Sequence, residues 1–327
     1  MPSPVVSVII PVFNGEKTIA KNLQAAALQD FSSLMEVIVV DDGSHDQSPE
    51  IVRGFPGVKY LRQPNRGPAS ARNLGAQKST GEYLFFTDAD CVPRGNWVSG
   101  MLNHFSDPRV AVVAGSYGIA NPDSILARCI HREIIFRHQE RMPLYPKVFG
   151  SYNFAVRRAV FFEVGGFDEG YRHASGEDND LSYKILGKGY KIYFDKGSLV
   201  DHHHPERVGK YLREQGRHGF WRVRMYARHP SMSGGDNYTF WKDMLEVPLS
   251  GLIVAGFLAW ALRLPVPLLL PVAAVSGLLL MELYFSLKIQ RSFYEILFWA
   301  WVSGARAFAR TGGFLWGALF WPFSKKP

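Results

Sequence analysis

The run Tyr83-Leu84-Phe85-Phe86-Thr87 ends in two carboxylates, Asp88 and Asp90. Its apolar part has the composition of a buried strand, and side chains on a strand repeat every two residues. Asp88 and Asp90 therefore share a side if the chain stays extended. Two carboxylates that close repel each other, and are tolerated at a strand end when a cation lies between them or hydrogen bonds hold them. A hard divalent ion with oxygen ligands, Mg²⁺ or Mn²⁺, suits such a pair and commonly also holds a substrate phosphate. The competing reading is a solvated acidic turn. Three further clusters carry chemistry: Asp41-Asp42 before Gly43, Glu177-Asp178 with Asp180, and the triplet His202-His203-His204.

Positioning these groups requires alternating elements. Val5–Pro11, Val37–Val40, Val58–Arg62 and Tyr83–Thr87 read as strands. Glu16–Leu28, Ser48–Gly54 and Ala69–Lys78 read as the helices between them. That alternation predicts a parallel, doubly wound α/β sheet with functional loops at the strand C-terminal ends, where Asp41, Asp42, Asp88 and Asp90 all fall. Further on, Val110–Ser116, Lys191–Phe194 and Gly197–Asp201 look like strands, and Ile125–Arg141 and Asp178–Leu186 like helices.

At 327 residues and 47% hydrophobic, the chain can build a large core. Its net charge of +8 is not gathered into tails, which argues against nucleic acid as a partner. Much of the positive charge flanks apolar segments, which favours a membrane surface or a phosphate-bearing substrate. Cys91 and Cys129 are the two cysteines. They lack metal-ligand spacing and are too few for a disulfide framework, so a reducing compartment fits. Met1-Pro2-Ser3-Pro4 has no charged n-region, and no signal peptide is expected.

Four blocks occur in order: Ser7-Val-Ile-Ile-Pro-Val-Phe-Asn14, Val40-Asp-Asp-Gly-Ser-His-Asp46, Asn65-Arg-Gly-Pro-Ala-Ser-Ala-Arg-Asn73 leading into Gly81-Glu-Tyr-Leu-Phe-Phe-Thr-Asp-Ala-Asp90, and Gly176-Glu-Asp-Asn-Asp-Leu181. Each is weak alone; in this order and spacing they resemble the family 2 glycosyltransferases over roughly the first two-thirds of the chain. The resemblance implies the GT-A nucleotide-sugar-binding fold, a Rossmann-like mixed sheet, and a UDP- or GDP-linked sugar donor. It implies that Pro11, Phe13, Asn14 and Asp42 lie on the base side, with Phe13 offering a stacking face. Arg72, on a helix whose N-terminus favours anions, would lie near the diphosphate, or else be a surface residue. Asp90 would be the direct metal ligand, with Asp88 nearer the ribose or metal and His202, first of the triplet, near the metal. Asp178 would be the general base and Glu177 its support, giving single displacement with inversion. Without the resemblance, Glu177, Asp178 and Asp180 are carboxylates favoured at a helix start. Asn153 and Gly166, in the blocks Gly150–Ala155 and Gly165–Asp168, would serve the sugar or acceptor.

From Val247 onward the composition changes. Val247–Leu262 and Leu264–Met281 are apolar, and a spanning helix needs about 20 such residues. Basic residues flank the outer ends of the pair, so a hairpin with both flanks in the cytosol follows from the positive-inside rule; a re-entrant hairpin or a buried soluble one are the alternatives. In Phe293–Trp321, Glu295, Ser303, Arg306 and Arg310 recur at helical spacing, as in an interfacial amphipathic helix broken near Gly312-Gly313. Arg213-Glu-Gln-Gly-Arg-His-Gly-Phe-Trp221 departs from the Gln-x-x-Arg-Trp motif of processive polysaccharide synthases, which counts against a polymerising enzyme. The expected organisation is a transferase domain over 1–230, a transmembrane hairpin over 231–290 and an interfacial tail over 291–327. The expected activity moves one sugar to a lipid-linked glycan or polyprenyl phosphate at the cytosolic face of the cytoplasmic membrane. The alternatives are a non-catalytic scaffold of the same fold in a glycan assembly complex, and nucleotidyl transfer, which the Pro11–Lys17 loop supports poorly.

Overall fold

The computed structural model describes residues 5–31, 35–173, 175–232, 234–237, 239 and 241–321. Met1–Pro4 and the basic Lys325 and Lys326 lie outside them. The chain forms two compact units: residues 1–121 with 137–203, and residues 122–136 with 204–327.

The first unit is built on eight strands: β1 (Val6–Val12), β2 (Met35–Asp41), β3 (Val58–Arg62), β4 (Tyr83–Thr87), β5 (Cys91–Pro93), β6 (Val110–Ile119), β7 (Asn153–Arg157) and β8 (Lys191–His202). Its helices are α1 (Ile19–Ala27), α2 (Ser48–Arg53), α3 (Pro68–Lys78), α4 (Trp97–Leu102), the end of α5 (Ile125–Glu140), α6 (Arg158–Glu163) and α7 (Glu177–Gly187). The strands lie in the order β3-β2-β1-β4-β7-β6-β8-β5. β1 pairs in parallel with β2 and β4, and β2 with β3. Every residue of β1 is buried, as expected for a central strand covered on both faces.

The parallel expectation holds for β3-β2-β1-β4 and for the β6–β8 pair. β7 runs antiparallel to both β4 and β6, so the sheet is mixed. β8 is one strand where the sequence reads as two; its pairing with β6 shifts register between Gly115 and Ser116. The irregularity leaves Lys196, Gly197 and Ser198 without partners between Asp195 and Leu199, and their polar and glycine character conceals the continuity.

The second unit contains the first part of α5, then α8 (Val208–Arg228), α9 (Trp241–Ala261), α10 (Leu269–Ile289) and α11 (Phe293–Phe320). α9 and α10 are long and apolar enough to cross a membrane. α11 is continuous through Gly312-Gly313, contrary to the expected break. Those glycines serve close packing: a Cβ on Gly313 would stand 1.9 Å from the carbonyl oxygen of Gly216, and one on Gly219 would stand 2.1 Å from that of Arg310. The backbones of α8 and α11 thus touch where side chains normally intervene. Gly313→Ala should lower stability by about 2 kcal/mol or more, because the obstructing atom is backbone and cannot rotate away; thermal unfolding of the purified chain measures it.

The polar stripe of α11 also faces the opposite way from the expected amphipathic helix. Glu295, Ser303 and Arg306 are buried, while Leu297, Trp301, Leu315, Trp316 and Leu319 are exposed. Arg306 donates to Glu133 at 3.0 and 3.1 Å and to Glu246 at 2.8 Å. Arg310 reaches Asp243 at 3.0 Å and Glu246 at 2.9 Å. Lys242 pairs with Glu246 and lies 2.9 Å from Glu282. The charges are paired with one another inside the bundle, which is how buried ions are tolerated.

Candidate active site

The site residues of the first unit cluster at the C-terminal ends of β1, β2 and β4. Asp41 and Asp42 are not a solvated turn: both are almost fully buried. Asp41 accepts from Ser44 N at 2.8 Å and from the Tyr60 hydroxyl at 2.6 Å. Asp42 accepts from Gln63 Nε2 at 2.7 Å, Arg66 N at 2.9 Å and Gly67 N at 2.8 Å. It therefore fixes the loop that opens α3. Gly67 is required there: its φ is +94°, and a Cβ would come within 2.5 Å of the Arg172 carbonyl oxygen. Phe13 follows the end of β1 and is 48% exposed. Pro11 is buried within β1. Asn14, at φ +51°, accepts from His45 N through Oδ1 and so joins the β1 and β2 loops.

Asp88 and Asp90 do not follow an extended chain. Cys91 N donates to the Asp88 carbonyl at 3.0 Å, closing a tight turn between β4 and β5. The turn sends the two carboxylates to different partners. Asp88 Oδ1 accepts from Arg72 Nη2 at 2.6 Å. Asp90 Oδ2 lies 3.6 Å from His202 Nε2, and Asp90, Cys91 and His202 place one ligand atom each within 4.8 Å of one another. β8 carries His202 opposite Cys91 of β5, which is why the first histidine of the triplet faces the aspartate; His203 is exposed and His204 falls in the second unit. Burial and the neighbouring Asp90 and Asp88 push the Cys91 thiol well above its ordinary range, so it stays protonated. The remaining oxygen and imidazole donors fit a hard divalent ion such as Mn²⁺.

α7 begins with the acidic pair. Glu177 is 1% exposed and both its oxygens are engaged: Oε1 accepts from Arg72 Nη1 at 3.0 Å and Oε2 from Ser175 N at 2.7 Å. Asp178 accepts from Asn179 N at 2.9 Å. Burial of its carboxyl, reinforced by the charge of Glu177, raises Asp178 to about 7 despite opposing contributions from backbone N–H groups and Arg72. A carboxylate poised near neutrality is matched to general base work.

Three sequence expectations meet different surroundings. Arg72 is not at a surface: it is 1% exposed and spans Asp88 and Glu177. Asn153 is fully buried; its Oδ1 accepts from Trp97 Nε1 at 2.7 Å, and its Nδ2 donates to the carbonyls of Ser116 at 2.9 Å and Ser198 at 3.0 Å. That amide joins β6, β7, β8 and α4. Gly166, at φ +64°, leaves room for Asn73 Oδ1, which a Cβ would approach to 2.8 Å. Two residues go unnoticed in the sequence. Asn22 donates to the carbonyls of Asp88 at 2.9 Å and Cys91 at 2.6 Å and so pins the turn; its signal is an amide among the buried residues of α1. Gln63 caps Asp42 and carries no motif signal.

Comparison with known proteins identifies the family and the fold. Residues 7–166 match Glycosyl transferase family 2. The pre-mycofactocin glycosyltransferase of Mycobacterium tuberculosis is 31% identical over 238 residues, covering 69% of this chain and 48% of that protein. Glycosyltransferase AglE of Haloferax volcanii is 29% identical over 229 residues, covering 68% of this chain and 74% of that protein. The chain thus spans about half the length of the mycobacterial relative. In fold it is similar to a Pyrobaculum calidifontis mannosyltransferase solved with GDP-Man and Mn²⁺: TM-score 0.62, 22% identity, 97% of this chain and 88% of the other. The mixed α/β sheet is of the GT-A type. The chain belongs to glycosyl transferase family 2.

Proposed function

We propose that this protein is a membrane-anchored, metal-dependent inverting glycosyltransferase. It moves one sugar from a UDP- or GDP-linked donor to a membrane-associated acceptor. The observation that carries the reading is Asp178, a carboxyl held at about 7 beside a fully engaged Glu177. Asp178 takes the proton of an acceptor hydroxyl as its oxygen attacks the anomeric carbon; the bond from that carbon to the diphosphate breaks and the nucleoside diphosphate leaves with the electron pair. Asp90 and His202 would hold the divalent ion, with Asp88 nearer the ribose or the metal. When bound, Mg²⁺ or Mn²⁺ offsets the charge of the leaving diphosphate. Phe13, Asn14, Pro11 and Asp42 shape the base side. The donor class is supported by the GDP-Man in the similar mannosyltransferase.

The acceptor is a lipid-linked glycan or a polyprenyl phosphate. The base favours the glycan, since a hydroxyl must lose a proton whereas a phosphate monoester is already largely ionised at neutral pH. α9 and α10 are the proposed anchor over 231–290, with the transferase domain over 1–230 and α11, whose outward face is apolar, within 291–327. The basic flanks of the hairpin support a cytosolic location for both its ends, and with them the transferase domain, at the cytoplasmic membrane.

Transfer should fall as pH drops below about 7. Asp178 then holds its proton and cannot accept another, so kcat loses about tenfold per pH unit; the pH profile at saturating donor measures this. The primary test incubates the full chain in detergent with Mn²⁺, a panel of UDP- and GDP-sugars and membrane extract, and reads products by mass spectrometry. One added sugar, lost on chelation, is expected. Donor binding with neither transfer nor hydrolysis for any donor would support the non-catalytic scaffold instead.

A further inference from the structure

Among the described residues, Arg72 is the guanidinium that touches both acidic pairs of the site. Its Nη2 is 2.6 Å from Asp88 Oδ1 and its Nη1 is 3.0 Å from Glu177 Oε1. The Phe167 ring centroid lies 5.4 Å from its Cζ, and Nε has no hydrogen-bond partner among the described residues. With 1% of the side chain exposed, the group has no face left for a donor phosphate. It rises from α3, whose N-terminal loop is fastened to Asp42 through Arg66 N and Gly67 N. One helix therefore connects the base-side carboxylate, the metal-side turn and the acceptor-side helix.

We propose that Arg72 is a positioning residue that locks Asp88 and Glu177 into one ionic unit and, by neutralising Glu177, leaves Asp178 as the carboxylate of that pair able to take the acceptor proton. The inference rests on the transfer reaction proposed above. Glu177 on its own helix and Arg72 from α3 are the charged groups that act most on Asp178, and the backbone N–H groups of Asn179 and Ser151 donate to it. Without the guanidinium, Glu177 stands as an uncompensated anion against Asp178, and two adjacent carboxylates do not both ionise at neutral pH. Asp88 likewise loses the bond that separates it from Asp90.

The test compares wild type, Arg72→Met, Arg72→Lys, Glu177→Gln and Arg72→Met/Glu177→Gln. The readouts are kcat at saturating donor across pH, nucleoside diphosphate binding with Mn²⁺ by calorimetry, and melting temperature. Arg72→Met should lower kcat at pH 7 by roughly a hundredfold and move the rising limb of the profile up by about one pH unit. Adding Glu177→Gln should recover about tenfold of that loss and part of the melting temperature, since the anion that needed neutralising is gone. Arg72→Lys, which keeps the charge without the fork, should fall between wild type and Arg72→Met. A rise in nucleotide Kd with kcat and pH profile unchanged would make Arg72 a donor-phosphate residue and overturn the proposal, as would the failure of Glu177→Gln to rescue. If wild type transfers no sugar, the reaction is refuted separately, and the melting-temperature cycle decides the ionic unit: additive losses overturn it.

Discussion

Replacing Asp178 by Asn should lower kcat by about a thousandfold while leaving nucleoside diphosphate binding within about twofold of wild type. Asn has nearly the same volume and still accepts from Asn179 N through its amide oxygen, so α7 keeps its start. What disappears is the capacity to accept a proton. The neighbouring Glu177 cannot substitute, because both its oxygens are held, by Arg72 and by Ser175 N. The two measurements together are decisive: loss of nucleotide binding along with transfer would move Asp178 out of the base role and into donor recognition.

The second large effect is expected at the metal. Asp90→Ala removes the 45%-exposed carboxylate that faces His202 across 3.6 Å and leaves Asp88, which Arg72 already engages. Transfer with Mg²⁺ or Mn²⁺ should fall by about two to three orders of magnitude, the scale of losing electrostatic stabilisation of a leaving oxyanion. Calorimetry should show nucleoside diphosphate binding that no longer responds to the ion. An Asp90→Ala protein with full activity in either ion would remove Asp90 from the metal site. His202→Ala should be milder, since imidazole is a secondary ligand for hard ions.

Much of the first unit is legible in the sequence because its strands are near-continuous β-branched runs bounded by turn residues. Val58–Arg62 and Tyr83–Thr87 have the bounds read from the chain, and α3 and α7 differ from them by a single residue at the ends. β5 and β7 were not visible, for different reasons. β5 is three residues long and begins one residue after Asp90. β7, Asn153–Arg157, is an antiparallel insertion among parallel neighbours, set by tertiary pairing rather than by any local pattern. The acids of the site were legible as types in motifs. Their partners were not, since the pairing of Arg72 with Glu177 joins positions 105 residues apart. The orientation of α11 was hidden by the symmetry of the helical period: a stripe of polar residues reads alike whether it faces water or the charges of its neighbours.

The second unit borrows residues 122–136 from the middle of the chain. Glu133 in that stretch meets Arg306 across a separation of 173 residues, and Leu126, Cys129 and Ile130 pack with Tyr211, Trp299 and Val302. During synthesis this stretch emerges early and waits for α11, whose Arg306 follows Glu133 by 173 residues. A chain halted after residue 203 would already carry Asp88, Asp90, Asp178 and His202, yet its nascent α5 would present bare apolar side chains and an unmatched carboxylate. Such a fragment should need chaperones to stay dispersed, because contacts this remote in sequence form slowly and leave surface exposed meanwhile. Trimming the apolar C-terminal helices to obtain a manageable catalytic fragment would therefore also strip the packing from a segment in the middle of the chain.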